Sequence, residues 1–155
     1  MVSNRASIIA TTIGAGSFID TPTSLYKKGV LNIQNPKDDF CFLWRFLAHI
    51  HRVGDNAVRT AKYEHFMREL NTKGLNFPLK FTDISKFENL NPPISVNDLV
   101  FENNEVFPLY ASKHRDRIHH VNLLMISNIE GKFHYLLIRN LSTLVAGHRK
   151  VTCEG

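Results

Sequence analysis

A cysteine near the first third of the chain has the setting that nucleophilic catalysis requires. Cys41 begins an apolar segment whose large residues recur at helical spacing, namely Leu43, Phe46, Leu47 and Ile50. A thiol attacks a carbonyl carbon as the thiolate, and the unpaired N–H groups at a helix N-terminus favour that anion. At about 100° per residue, Cys41 falls roughly opposite the apolar stripe and is predicted to face a cleft.

His134 is the candidate base for this thiol. It follows the Gly131-Lys132 turn and opens an apolar run, so we expect it at the start of a strand, near a cleft at the sheet edge. Many cysteine hydrolases pair a thiol at a helix start with such a histidine. Free cysteine also packs often as a small hydrophobic residue, so a structural thiol is the other interpretation of Cys41.

Two further roles need polar side chains near this pair. Gln34 or Asn35, seven and six positions before Cys41, would place an amide near the negative charge that develops on the substrate oxygen. Asn140 is the nearest polar residue downstream of His134, but along an extended strand it would lie about 20 Å away. The residue that orients His134 therefore stays open, with Asn128, Asn122 and Asp38 as alternatives.

Helical patterns precede strand patterns along the chain. The segment from Cys41 is predicted to be a buried helix capped by Asp38 or Asp39, a second helix is predicted near residues 59–71, and a short one from Asp83 through Phe87. Two hairpins are predicted, over 94–101 with 106–112 and over 121–127 with 133–139. Helices followed by an antiparallel sheet predict an α+β fold.

The length of 155 residues and the hydrophobic content of 43% predict one compact domain over residues 29–150. Residues 1–28 are rich in Ser, Thr, Gly and Ala and are expected to be a flexible arm, and 151–155 a tail. With no apolar run of spanning length, no signal peptide and only two cysteines, we expect an intracellular protein without a membrane segment.

The charges and histidines favour neither nucleic acid nor metal. The net charge is +5, but the basic residues are spread along the chain without a run of five or six, so a nucleic-acid role is not favoured. His49 and His51 point to different sides of a helix, and the chain lacks the paired Cys or His spacings of a zinc site. No metal and no cofactor are therefore expected.

The motifs around Cys41 and His134 resemble two known groups. Asp38-Asp39-Phe40-Cys41-Phe42-Leu43-Trp44 and His134-Tyr135 are similar to the helix start and the C-terminal signature of ovarian-tumour-type deubiquitinases. A longer pattern, which also includes 16–19 and 32–35, resembles a domain of large proteins from Maverick or Polinton-type transposons and related viruses, in which a Cys-rich segment that Cys153 would begin follows the domain.

This resemblance implies a papain-like fold, a thioester intermediate, and cleavage after the C-terminal glycine of ubiquitin or a ubiquitin-like protein. Trp44 and Tyr135 are then candidate substrate contacts, with core packing as the other interpretation of Trp44. The chain departs from the pattern at Leu136, where ovarian-tumour-type enzymes carry Asp or Asn two residues after the histidine. An alternative is therefore a non-catalytic protein- or DNA-interaction module of a mobile element or virus. Oligomeric state is not predicted.

Overall fold

The computed structural model describes residues 18–35, 39–52, 54 and 56–146. The predicted tail, 151–155, and the first 17 residues of the predicted arm lie outside this part. The fold is α+β, as predicted, with one mixed sheet of five strands. In chain order the strands are β1 Val30–Leu31, β2 Ile94–Glu102, β3 Glu105–Tyr110, β4 His119–Ser127 and β5 Phe133–Ile138.

The spatial order of the strands is β1-β5-β4-β2-β3. Both predicted hairpins are confirmed as β2–β3 and β4–β5, but the expectation of a wholly antiparallel sheet is wrong because β2 and β4 pair in parallel. After β3 the chain is back at the end where β2 begins, and it crosses to the other side of β2. Arg117 secures this crossing by donating from Nη1 to the carbonyl oxygens of Glu88 and Ile94, at 2.6 and 2.7 Å.

Helices cover one face of the sheet. The main helix, α1 Cys41–Ile50, is buried from Cys41 to Ala48, and α2 Ile84–Leu90 packs beside it through the contact of Phe87 with Phe42 and Phe46. The helix predicted over 59–71 is instead two 3₁₀ segments, Thr60–Lys62 and Glu64–Glu69. Tyr63 and Leu70 of this segment are nevertheless buried in the core. The tighter turns of a 3₁₀ helix therefore also place the apolar residues of the segment on one face.

The opposite face of the sheet is covered by chain from both ends of the domain. Leu25, in the 3₁₀ turn Thr23–Leu25, is fully buried with Leu144 of the last helix, α3 Leu141–Ala146, against Leu136 and Ile138 of β5. The described end of the predicted arm, 18–28, is thus part of the domain, because Leu25 closes a core that the sheet would otherwise expose.

None of the helices in the described part is long and apolar enough to cross a membrane.

Candidate active site

Cys41 is the first residue of α1, as the sequence predicts, but the acidic cap is not found. Phe40 occupies the N-cap position and makes no side-chain capping bond, while its carbonyl oxygen accepts from the N–H of Trp44 at 3.1 Å. Asp39 is exposed, and Asp38 lies outside the described residues. The side chain of Cys41 is 0% exposed. The thiol therefore sits at a helix N-terminus and also within the packed interior.

His134 lies on β5, where that strand has no paired neighbour on its outer side among the described residues. β1 pairs only with Leu137 and Ile138, so the outer edge of β5 is open to side chains beside His134 and Tyr135. Asn32, the residue directly after β1, fills this place. Its Oδ1 lies 2.7 Å from Nε2 of His134, and the imidazole is fully buried with Phe18 edge-on at 5.4 Å between ring centroids.

The orientation of the Asn32 amide follows from its other partners. Nδ2 donates to the carbonyl oxygen of Ile19 at 2.8 Å and to the hydroxyl of Thr21 at 3.1 Å. Since a carbonyl oxygen only accepts, the amide nitrogen must face Ile19, and Oδ1 must face the histidine. Asn32 is therefore held as an acceptor for an N–H of His134.

Arg45 completes the cluster from the helix side. Its Nε donates to the carbonyl oxygen of Tyr135 at 2.5 Å, and Nη2 donates to the carbonyl oxygen of Ile33 at 3.1 Å. Nη2 also lies 3.2 Å from Asn32 Oδ1 and 2.8 Å from Nε2 of His134. The guanidinium thus ties α1 to the β5 edge and to the chain that leaves β1.

The roles of the hydrogen-bonding atoms in this cluster depend on the tautomer of His134. A guanidinium has no acceptor, so Nε2 either donates to Asn32 or accepts from Arg45. If Nε2 carries the hydrogen, Asn32 receives it, and both hydrogens of Nη2 still have acceptors in Ile33 and Asn32. If Nε2 lacks it, two acceptors face each other at 2.7 Å. The first arrangement leaves two donors, Nε2 and Nη2 of Arg45, 2.8 Å apart, and the second leaves two acceptors 2.7 Å apart, so the contacts fit either tautomer.

Cys41 is related to His134 indirectly, through Arg45 and Tyr135. Cys41 and Arg45 are four residues apart on α1 and so share a helix face, and helical side chains lean toward the N-terminus, which brings the guanidinium of Arg45 toward the first turn. Tyr135 gives a second link. Burial raises the pKa of its hydroxyl well above the usual value, and the neighbouring Asp98 and Cys41 raise the pKa further.

The residues predicted to orient His134 lie elsewhere. Asn140 caps α3, its Oδ1 accepting from the N–H of Thr143 at 3.0 Å, so the expectation that it would orient the histidine is not met. Asn128 accepts from two N–H groups of its own turn, and Asn122 accepts from Asn97 on β2. Asn140 follows the end of β5, whereas His134 lies near its start. The extended strand between them keeps the two residues apart, as expected from its length.

The two candidates for an amide near the substrate oxygen differ in burial. Asn35 is 1% exposed, whereas Gln34 is exposed and bonded through its backbone N–H to the carbonyl oxygen of Val58 at 2.7 Å. Neither predicted substrate contact lies in a cleft, because Trp44 and Tyr135 are both packed in the core, with Tyr135 against Phe42.

Sequence reasoning missed Asn32 and Arg45, although each breaks an apolar pattern. Asn32 interrupts the run Val30 to Ile33, and Arg45 stands inside a helix that is otherwise apolar. A buried polar residue requires a hydrogen-bonding partner, so each of these residues indicates a polar cluster. The neighbouring sequence does not show which residue the partner is.

A cavity of about 440 Å³ adjoins the cluster. Phe18 and Asn32, which both contact His134, are among its lining residues, together with Asp20, Thr21, Tyr26 and Lys27. Within the described residues, no group of three or more His, Cys, Asp or Glu side chains is arranged to hold a metal ion.

Comparison with known proteins identifies no relative: no protein-family model, no curated protein and no solved structure matches this chain.

Proposed function

We propose that this protein is a cysteine hydrolase in which Cys41 is the nucleophile and His134 the base, with Asn32 as the positioning residue for the imidazole. The observation that carries the proposal is the bond from Nε2 of His134 to Asn32 Oδ1 at 2.7 Å. With Nε2 as the donor in this bond, Nδ1 would be the basic nitrogen, and the bond would hold the imidazole in one orientation. A base that is oriented by a third group is the arrangement of cysteine and serine hydrolases in general.

The reaction follows from these roles. Nδ1 of His134 takes the thiol proton, and the thiolate of Cys41 attacks the carbonyl carbon of the substrate. The oxyanion would accept from backbone N–H groups of the first turn of α1 and from the amide of Asn35. The imidazolium then protonates the leaving amine, a thioester forms, and water hydrolyses it with His134 again as base.

The substrate class comes from the motifs around Cys41 and His134. Their similarity to ovarian-tumour-type deubiquitinases suggests the bond after the C-terminal glycine of ubiquitin or a ubiquitin-like protein. The cavity beside Asn32 would receive the residues that precede this bond, since it is open and both polar and apolar side chains line it.

Burial of the two central residues favours a second candidate, a non-catalytic interaction module. Both Cys41 and His134 are 0% exposed, so a substrate carbonyl would reach the thiol only after the surrounding chain moves. In that case the cluster of Asn32, Arg45 and His134 would serve to close the sheet edge, and Cys41 would be a packed thiol.

Covalent labelling separates the two candidates. Ubiquitin and related modifiers, each with an electrophile in place of the C-terminal glycine, are added to the native chain and to Cys41→Ala, His134→Ala and Asn32→Ala. Labelling that requires Cys41 and His134 and slows by about tenfold or more in Asn32→Ala supports the hydrolase. Asn140→Ala is the matched control and should label at the native rate.

The opposite result is equally clear. If no modifier labels the native chain and Cys41 also resists a small alkylating reagent, the thiol is structural and the interaction module is the function to pursue. If Asn140→Ala slows labelling as much as Asn32→Ala does, the assignment of Asn32 as the positioning residue is wrong.

A further inference from the structure

A second polar surface lies at the other end of α1, away from Cys41. His49 is eight residues from Cys41, which corresponds to about 12 Å along the helix axis. Here α1 ends against the beginning of β4 and the end of β5, and His49 contacts His119 edge-on at 5.9 Å between ring centroids. The site proposed above uses none of these residues.

Two cavities open on this surface and share the side chain of His120. The first, about 130 Å³, is lined by His49 and Arg52 from the end of α1, by Asn122 from β4 and by Arg139 after β5. The second, about 250 Å³, is lined by Ser95 of β2 and by Ser112, His114 and Arg115 after β3. We call the residues that line either of these two cavities the basic surface.

The charges on this surface are of one sign. Three arginines line the two cavities together with three histidines, and none of the described lining residues is acidic. Burial, followed by His119, Arg52 and His120, lowers the pKa of His49, so the positive charge comes from the arginines. In the part of the chain that the structure describes, no carboxylate oxygen lies within 4.0 Å of Arg52, Arg115 or Arg139. The carbonyl end of α1 contributes about half a negative charge. The positive charges of Arg52 and Arg139, which line the cavity at this end, outweigh it.

Some of the uncharged groups of the basic surface are already oriented. The ring of His120 is held through Nδ1 by the hydroxyl of Ser95 at 2.7 Å, so its Nε2 points away from Ser95. The amide of Asn122 accepts from Asn97 through Oδ1 at 3.1 Å, which leaves Nδ2 as a donor beside His49 and Arg139 in the first cavity. Donors with fixed positions next to arginines suit phosphate oxygens.

We infer that the basic surface binds the phosphate backbone of a nucleic acid strand. Two adjoining concave sites, each with arginine and histidine, fit successive phosphates of one chain better than a single small anion. Aromatic side chains other than histidine are missing from the described lining residues, so base stacking contributes little and the binding is sequence-independent. The affinity therefore falls as salt concentration rises.

The test is fluorescence anisotropy of a labelled single-stranded oligonucleotide with the full chain at several salt concentrations. The site variant combines Arg52→Gln with Arg139→Gln. The matched control combines Arg68→Gln with Lys132→Gln, two exposed residues outside the basic surface. Both double variants remove two of the five net positive charges, so any difference between them reports position and not net charge.

The site variant is expected to bind about tenfold or more weakly, with a shallower salt dependence, while the control stays within about twofold of the native chain. Circular dichroism checks that both variants are folded. Chemical-shift changes on titration should centre on Asn122 and His120. Cys41→Ala should bind as the native chain does, since the inference is independent of the proposed hydrolase.

Three results would overturn the inference: equal losses in the two double variants, no binding by the native chain at low salt, or shift changes centred elsewhere. Polyglutamate, inorganic phosphate and vesicles rich in phosphatidylserine are tested in parallel. If any of these competes as strongly as the oligonucleotide, the basic surface is a general anion site and the assignment to nucleic acid is wrong.

Discussion

Two neighbouring residues of β5, His134 and Tyr135, belong to two different groups of buried polar side chains. His134 belongs to a cluster in which Asn32 Oδ1 and Arg45 Nη2 lie 2.7 and 2.8 Å from its Nε2. Tyr135 packs among the helices, where it faces Asp98 of β2. Asp98 is 0% exposed and its carboxyl oxygens form no hydrogen bond of standard geometry, although the nearby Tyr135 hydroxyl acts to lower its pKa.

The difference shows which kind of polar burial stabilises a fold. Satisfied groups recover the cost of leaving water, whereas an ionised carboxyl without partners does not, so Asp98 keeps its proton. Burial accordingly raises the pKa of Asp98 well above its usual value. The first group is held in place by several hydrogen bonds, while the ionised form of the second lowers stability at neutral pH.

The largest effect is expected from Arg45→Met, which keeps an unbranched apolar side chain and removes every donor. The carbonyl oxygens of Ile33 and Tyr135 would lose their partner inside the protein, at about 1–3 kcal/mol each. We expect the free energy of unfolding to fall by about 3 kcal/mol, measured by urea denaturation. Arg45→Lys should recover only part of this loss, because one ammonium cannot match the planar guanidinium. An unchanged midpoint in Arg45→Met would show that the cluster does not stabilise the fold.

A gain in stability is expected from Asp98→Asn at neutral pH. The pKa of Asp98 is raised on folding, so its contribution is fully present below the unfolded value of 3.8 and is lost as pH rises toward the folded value. The native chain should lose up to about 1.4 kcal/mol per pH unit in that window, and Asp98→Asn should not. At neutral pH the variant should be more stable than the native chain.

Asp116→Asn is the control for this prediction, because Asp116 is exposed. It should change the free energy of unfolding by less than about 0.5 kcal/mol at any pH. Denaturation curves at several pH values would decide the matter. Parallel curves for the native chain and Asp98→Asn would mean that Asp98 is ionised and paired in solution.

The smallest effect is expected from Asn140→Ala, which removes the cap of α3. The loss of a capping bond costs about 1 kcal/mol. Asn32→Ala removes acceptor and donor bonds together and should cost more, about 2 kcal/mol. If thermal unfolding showed the reverse order, the cluster around His134 would be less important to the fold than the cap.

Local patterns predicted most of the elements. Alternation and turn residues predicted both hairpins, and the spacing of Leu43 to Ile50 predicted α1 with Cys41 as its first residue. The segment 59–71 was expected to form an α-helix but forms 3₁₀ turns. Apolar residues that recur every three positions fit either type of helix. β4 pairs in parallel with β2 because the chain crosses β2 after β3 and adds β4 on the other side of it. No pattern within a few residues predicts on which side of β2 the next strand will lie.

The sequence by itself determined that Cys41 begins a helix, that His134 lies near the start of a strand, and that both belong to an α+β fold, because these features depend on neighbours within a few residues. Only the tertiary structure decided which asparagine meets His134. Asn140 is six residues from His134 but lies at the far end of an extended strand. Asn32 is 102 residues away and meets it at 2.7 Å, because β1 ends early and leaves the edge of β5 open.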